Sequence, residues 1–400
     1  DRVSQRKTVF TGGLITIVLG SAVLLLACPL LSYSSSLKEY AVLICAYTLA
    51  SNLHSLCAQY VRAEGKTGLL ALQGILNTAL VIFFNILFLL FFKLGVLGYV
   101  MSVVAADGLC TLYLVLHEKL WTVCTPDPEK PLWKSMLRYS IPLIPTTIFW
   151  WITSVSDRYM IAYFLGTEAN GLYAVACKIP TVLTLLSTIF LEAWQFSAIE
   201  EATGDREVHI RFYGQVWSAF LSAMVMAGSV LIVLCRVEIW LLSAARYFEA
   251  WKYVPVLSIA MVFSAFASFM GSVYVVTEKS RLSFRTTLWG ALANILLNLL
   301  LIPRIGIQGA AIATLASYVL CFSIRAVSAR NLIPFPLCFT RLVFSAALLG
   351  IQSLLCFVNS PIQPIGQIVA LLLLLVANRK PFVQTVQQLL HVVSSRTQKK

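Results

Sequence analysis

Apolar residues along this chain gather in long unbroken runs, not in the three-and-four spacing of a surface helix or the alternation of a strand. Runs long enough to cross a bilayer fall near 8–31, 40–59, 69–92, 95–116, 140–164, 169–195, 213–235, 254–276, 286–303, 307–325, 341–358 and 364–378, since about 20 helical residues cover roughly 30 Å of hydrocarbon. Twelve helices therefore account for nearly the whole sequence. The ten-residue alternation of an outer-membrane barrel strand is absent, and helices are then the spanning structure that satisfies the backbone in lipid. Composition agrees with the pattern: 59% of the 400 residues are hydrophobic and 12% charged, against about 25% charged in a soluble domain, and the mean hydropathy is +0.84. The expectation is an all-α polytopic membrane protein with no room for an appended soluble catalytic or nucleotide-binding domain.

The formal net charge of +13 would point a soluble protein toward nucleic acid, but in a membrane chain surplus Lys and Arg encode orientation. With residues 1–7 inside, 22 of the 30 Lys and Arg fall in cytoplasmic segments and their flanks, including Lys119, Lys130, Lys134, Arg138, Lys279, Arg281 and the RTQKK tail. Six fall outside, namely Lys38, Lys93, Arg236, Arg246, Lys252 and Arg304. Both visible ends are expected in the cytoplasm, with membrane lipids as the surroundings and no nucleic-acid partner. The ten cysteines stand without a C-x-x-C pair, and the four histidines, His54, His117, His209 and His391, have no ligand spacing. No metal and no cofactor are expected. GKT at Gly65–Thr67 lacks the glycine that a phosphate-binding loop needs five residues earlier, where Tyr60 stands.

An internal repeat is legible. YAVL at Tyr40–Leu43 matches YVPVL ending at Leu257, and Glu64 with its nearby Lys66 matches Glu278 with Lys279, the leucines and glutamates at an offset of 214 and the lysines at 213; KLGVLG at Lys93–Gly98 matches RIGIQG at Arg304–Gly309 at 211. Matching helices lie six spans apart, an even number, so the copies run in the same direction, as in transporters built from parallel repeats. The expected division is a first bundle over 1–117, a cytoplasmic connection over 118–139, a second bundle over 140–328, an extra helix pair over 341–378 and a cytoplasmic tail over 379–400. Subtracting the offset from the span at 140 puts its counterpart roughly 70 residues ahead of residue 1. About two helices of the first bundle are thus expected before residue 1, and fourteen in the parent.

Away from the ends of the runs, five charges interrupt them: Asp107, Asp157, Arg158, Lys178 and Glu192. Ionised groups in hydrocarbon cost several kcal/mol and normally face each other or a polar cavity. Asp157 lies ten residues before the centre of the LGTEANG turn and Lys178 eleven after, so both sit about 15 Å deep, near the midplane. A structural ion pair is one reading; the other is that Asp157 satisfies one cation and leaves a net positive charge for an anionic ligand, with Arg158 suited to bidentate phosphate recognition and Lys178 to a point charge. Trp150 and Trp151, seven residues before Asp157 and Arg158, share their faces and suit a sugar or serve as packing. Pro180 is expected to kink its helix, while Gly171 and Ala174 permit close approach. Asp107, about 19 Å below the outer end of its span, is a candidate cation or proton site or a packing residue, and Glu192 falls near the cytoplasmic surface.

The stretch from Tyr139 to Glu201 resembles the polysaccharide transporters of the multidrug/oligosaccharidyl-lipid/polysaccharide exporter superfamily. The resemblance rests on Y-x-x-P, on S-D-R at Ser156–Arg158, on L-G-x-x-x-x-G-x-Y-A-V-A-x-K-I from Leu165 to Ile179, and on A-W-Q at Ala193–Gln195. RAEGK at Arg62–Lys66 and the two L/I-G-V/I-x-G turns are similar to that family as well. The resemblance implies a two-bundle flippase fold, like that of the multidrug (MATE) exporters. It also implies export of undecaprenyl-diphosphate-linked oligosaccharide from the cytoplasmic to the outer face of a bacterial plasma membrane, by alternating access, for O-antigen, capsule or exopolysaccharide. The implied substrate contacts are Arg158, Lys178, Asp157, Trp150 and Trp151, with Asp107, Glu192 and Pro180 as coupling or gating candidates. H⁺ or Na⁺ is the candidate counter-ion. A monomer is expected, with polysaccharide polymerase machinery as a candidate associate. A peptidoglycan-precursor flippase and a cation-coupled multidrug antiporter are the alternatives. A membrane polymerase or acyltransferase fits poorly, because the long connections, 117–139 and 196–212, are cytoplasmic, and no catalytic residue is expected.

Overall fold

The computed structural model describes residues 2–31, 40–125, 128–201, 206–358 and 363–379. Lys38, His391 and the charged tail from 380 onward lie outside the described residues. Fourteen helices are described, with no strand among these residues: α1 (Arg2–Leu31), α2 (Ala41–Ala63), α3 (Thr67–Asn85, continued as a π-turn over Ile86–Phe91), α4 (Gly95–Glu118), α5 (Lys130–Ser140), α6 (Leu143–Leu165), α7 (Thr167–Lys178), α8 (Thr181–Glu201), α9 (Arg206–Leu242), α10 (Val254–Val276), α11 (Ser280–Ile305), α12 (Ile307–Leu332), α13 (Phe339–Leu355) and α14 (Gln363–Arg379). Every expected run corresponds to a helix or a helix pair.

Eight of these helices are long and apolar enough to cross a membrane, or nine if α7 and α8 are one bent span. α6 falls short of that criterion, because Thr146, Thr147, Thr153, Asp157 and Arg158 dilute its apolar run. The kink expected at Pro180 is a break of 43° between α7 and α8. Proline has no N–H to return to Ala176 and its ring crowds that carbonyl, so α7 ends at Lys178. Helix ends elsewhere overrun the apolar runs. α12 continues to Leu332 instead of stopping at 325, which places Arg325 inside the helix and buries it to 2% exposure.

The chain divides into two compact units, Asp1–Arg138 and Tyr139–Lys400. In the first, α2 packs on α1, α3 and α4, around a small core of Phe10, Cys57, Val61, Leu114 and Leu120. α5, inside the expected connection, seats Trp133 on Gly12 of α1, where an added Cβ would stand 3.0 Å from the indole. In the second unit α10 is the central helix, packing on α8, α9, α12 and α13, and an aromatic cluster of Trp194, Tyr213, Trp217, Phe220, Phe266, Phe269 and Phe322 fills the core. The helix pair α13 and α14 belongs to this unit. Ser229 of α9 donates to Gln352 Oε1 at 2.9 Å, and Ser222 to Asn378 Oδ1 at 3.1 Å.

The repeat has a backbone signature. In the turn after α2, Glu64, Gly65 and Lys66 donate N–H to the carbonyls of Tyr60, Arg62 and Val61; after α10, Thr277, Glu278 and Lys279 donate to Val273, Val275 and Tyr274. The same three hydrogen bonds recur 213 residues apart. Gly95 and Gly306 likewise share a left-handed φ, of 56° and 64°, at the offset of 211. The left-handed residue of the first turn is Gly65 (φ 73°), but in the second it is Glu278 (φ 54°), where a Cβ is strained by roughly 1 kcal/mol. Glu278→Gly is therefore expected to stabilise the protein by up to about 0.5 kcal/mol once the added chain entropy is subtracted, read as a slightly higher melting temperature of the purified protein in detergent.

Candidate functional site

Asp157 lies in the middle of α6, 3% exposed, and its partners come from three other helices. Tyr173 of α7 donates its hydroxyl to Oδ2 at 2.8 Å, Thr314 of α12 to Oδ2 at 2.5 Å, and Asn298 of α11 its amide to Oδ1 at 2.5 Å. Around them Asn298 also donates to Asn294 Oδ1 at 3.1 Å, and Ser156 to the same oxygen at 2.9 Å. Ser317 donates to the Thr314 carbonyl at 2.8 Å. The helix period sets this up: Asn294 and Asn298 are four apart, as are Tyr173 and Cys177, so each pair presents one face.

The geometry corrects one expectation. Asp157 is held by neutral donors and forms no ion pair with Arg158 or Lys178. Successive residues on a helix point about 100° apart, so the buried face that takes Asp157 turns Arg158 outward. Arg158 is exposed beside the Cys177 thiol, and Lys178 is exposed at the C-terminal end of α7. Neither has a carboxylate partner among the described residues. The Asp157 cluster is rich in oxygen, and Asn298 Oδ1 is buried with no hydrogen-bond partner. A carboxylate, two amide oxygens and a hydroxyl form a donor set that can take a proton or a small hard cation.

The tryptophans separate. Trp150 is half buried, stacked on Tyr318 at 5.8 Å between ring centroids, whereas Trp151 is 59% exposed. Trp150 also lies under Arg325, whose guanidinium carbon is 5.4 Å from the ring centroid. Arg325 donates to Thr286 Oγ1 at 3.0 Å, Thr287 Oγ1 at 2.8 Å and the Ala267 carbonyl at 2.8 Å, with no carboxylate among its described partners. A Cβ at Gly271 would fall 2.6 Å from its Nη1, so that glycine makes its room. Glu192 is exposed on α8. Gly171 faces the ring of Tyr247, while Tyr173 and Ala176 form the buried face of α7.

Asp107, 5% exposed on α4, accepts from Asn77 Nδ2 of α3 at 2.8 Å and lies 3.3 Å from His54 Nδ1 of α2. The other imidazole nitrogen of His54 is 2.7 Å from Gln73 Oε1. Among the described residues no group of three or more His, Cys, Asp or Glu is placed to hold a metal. Sequence reading missed His54, Tyr173, Asn294, Asn298, Thr314 and Arg325. His54 was the findable one, since a histidine near the centre of a predicted span is itself a polar group out of place.

Residues 1–195 match the family described as polysaccharide biosynthesis protein. An uncharacterized membrane protein of Methanocaldococcus jannaschii is 22% identical over 254 residues, 60% of this chain and 59% of that protein; the chain thus spans under two thirds of the length of this relative. Among solved structures, an outward-facing multidrug resistance MATE family transporter of the MOP superfamily superposes with a TM-score of 0.70 at 13% identity, covering 83% of this chain and 82% of that one. The Vibrio cholerae MATE transporter VcmN in its bent form gives 0.67 at 16% identity, covering 83% and 82%. A Pyrococcus furiosus MOP superfamily transporter, reported with a binding pocket of reverse polarity, gives 0.67 at 12% identity, again covering 83% and 82%.

Proposed function

We propose, from the premise that this chain is a polysaccharide transporter of the MOP superfamily with its fold, that it exports a lipid-linked oligosaccharide carried on a diphosphate. The family and fold are those of transporters, not of enzymes. The observation that carries the substrate class is the pair of cations on α6 and α7. Arg158 and Lys178 sit near the middle of a membrane unit without carboxylate partners, because the acid beside them, Asp157, is committed to neutral donors. Unpaired cations at that depth are costly unless an anion meets them, and a diphosphate supplies oxygens for a guanidinium fork and an ammonium together. Exposed Trp151 on the same helix suits the face of a sugar ring. In this reading α6 and α7 hold the diphosphate, the prenyl chain stays in lipid, and alternating access carries the sugar across a bacterial plasma membrane, with both chain ends in the cytoplasm.

A second reading, ion-coupled exchange, is favoured by the oxygen-rich Asp157 cluster and its orphaned Asn298 Oδ1. It is compatible with the first, the cation site coupling and the anion site carrying cargo.

The test uses the full chain in vesicles with a short-prenyl diphosphate-linked disaccharide. Movement of the sugar to the opposite leaflet, faster than that of the monophosphate analogue, is expected; equal rates for the two overturn the diphosphate reading. Orientation is checked separately. Single cysteines placed between His117 and Arg138 in a cysteine-free background are expected to react only with reagents delivered to the cytoplasmic side, and labelling from outside reverses the topology.

A further inference from the structure

The connection between α4 and α6 carries a helix of its own, α5, which Pro131 opens at a position where its missing N–H costs nothing. Lys130, Lys134 and Arg138 fall at i, i+4 and i+8, within about 80° of the helix circumference, while Leu132, Trp133, Met136 and Leu137 occupy the opposite arc. The three cations are exposed and have no carboxylate partner among the described residues. We propose that α5 is a binding surface for anionic phospholipid headgroups, its cations meeting the lipid phosphates and its apolar arc entering the acyl boundary. Its effect on export rests on the transport reading above; the lipid site itself does not.

Contacts with α1 set the depth of this helix. The Thr125 N–H donates to Thr11 Oγ1 at 3.0 Å, the Glu129 N–H to Thr8 Oγ1 at 3.3 Å and Trp133 Nε1 to Thr16 Oγ1 at 3.4 Å, with the indole lying over Gly12. The apolar span of α1 begins at Gln5, so Gly12 stands about 10 Å along it. An interfacial helix sinks its apolar face about 5–10 Å into the boundary between headgroups and acyl chains, and the Trp133 ring reaches that level. The chain enters the connection from α4, which ends at Glu118, and leaves it into α6, which starts at Leu143; both flanks tie α5 to the membrane surface. Trp121, three residues past the end of α4 and 54% exposed, is a second aromatic of the kind that collects at this level.

The uncovered part of the apolar arc and the charge beside it select the partner. No residue of α5 is buried. α1 takes the Trp133 ring, and Leu132, Met136 and Leu137 stay half exposed. A helix of this pattern normally buries its stripe in a protein core; at the depth of α5 the acyl chains serve instead. The cations border that arc, so their aliphatic stems can lie along it while the charged ends rise to the phosphates. Lys130 and Lys134 offer point charges, and Arg138 offers a fork that fits two oxygens of one phosphate. The stripe is about 12 Å long, more than a single phosphate covers, which favours a surface dense in anionic lipid over a single soluble anion. An acidic protein could meet the cations but would leave the half-exposed leucines and Met136 to find their own cover.

The test captures the lipid in place. The full chain is reconstituted into phosphatidylcholine vesicles with a trace of phosphatidylglycerol carrying a photoreactive headgroup, and the crosslinked peptides are mapped by mass spectrometry. Crosslinks within residues 119–140 are expected, displaced by unlabelled phosphatidylglycerol but not by more phosphatidylcholine, and weakened by 0.5 M salt. Each cation near an anionic surface contributes roughly a factor of five. Lys134→Gln should therefore lower capture about fivefold, and the triple variant Lys130→Gln, Lys134→Gln, Arg138→Gln by roughly a hundredfold, both at the wild-type melting temperature because all three side chains are exposed. Capture by the triple variant at the wild-type level, equal displacement by phosphatidylcholine, or displacement by millimolar glycerol phosphate in solution overturns the lipid site. Export by the wild-type chain is expected to rise with the fraction of phosphatidylglycerol and export by the triple variant to be indifferent to it; an equal rise in both overturns the effect of α5 on export. If the wild-type chain moves no lipid-linked diphosphate at any composition, the cargo reading fails and the crosslinks alone judge the lipid site.

Discussion

Asp157→Ala is expected to destabilise the second unit by about 2–4 kcal/mol and to abolish export. The cost is not the sum of three lost partners, because two of them have alternatives already in reach. Thr314 can return its hydroxyl to the Ala310 carbonyl at 2.9 Å, and Asn298 keeps Asn294 Oδ1 at 3.1 Å. Tyr173, 2% exposed, is left with the Thr314 hydroxyl and the Cys177 thiol, weaker acceptors than a carboxylate, and a poorly satisfied buried hydroxyl costs about 1–3 kcal/mol, to which lost interhelical bonds add roughly 0.6–1.7 kcal/mol each. Asp157→Asn separates charge from shape. Its amide meets the amide of Asn298, but rotation of Asn298 would bring the orphaned Oδ1 into use, so stability should fall by no more than about 1 kcal/mol. Melting of the purified variants in detergent, beside export in vesicles, checks both. A stable Asp157→Asn protein without export assigns the negative charge to coupling, and one with full export leaves Asp157 as architecture alone.

Arg158→Gln is expected to cut export of a lipid-linked diphosphate by roughly 10- to 150-fold, the equivalent of a charged hydrogen bond worth about 1.5–3 kcal/mol, at unchanged melting temperature. Stability should hold because the side chain is exposed and outside the Asp157 cluster. Arg158→Lys keeps the charge and loses the fork, so it should recover part of the rate. Lys178→Gln should fall between them. Full activity in both Arg158→Gln and Lys178→Gln removes the cationic pair from the mechanism. The comparison is best made at matched insertion into the membrane, measured by protease protection.

The fold was legible because the hydrocarbon thickness sets helix length and the sequence has little besides helices; even the repeat offset reappears in turn hydrogen bonds. The ends were less legible. Apolar runs mark where lipid stops, not where the helix stops, which is why Arg325 reads as a flank and turns out to lie inside α12. The site was half legible: charges inside apolar runs pointed to Asp157, Arg158, Lys178 and Asp107, but their pairing depended on which way each side chain faces. Asn294, Asn298 and Thr314 could not be picked out because neutral polar residues are common in membrane helices, and their value here comes from converging on a residue about 140–160 positions earlier.

That separation has a bearing on how the chain is made. α6 is too polar to enter lipid on its own hydrophobicity, since Asp157 and Arg158 each cost about 2.5–3.5 kcal/mol on insertion scales. Tyr173 is available 16 residues later, but Thr314 emerges from the ribosome 157 residues after Asp157, about 8–30 s at ordinary rates of synthesis. During that interval the carboxylate has one native partner out of three. α6 must therefore wait at the insertion machinery, or beside another protein that shields it, until α11 and α12 arrive, and a late step in maturing this membrane unit is the capture of a helix synthesised near its beginning.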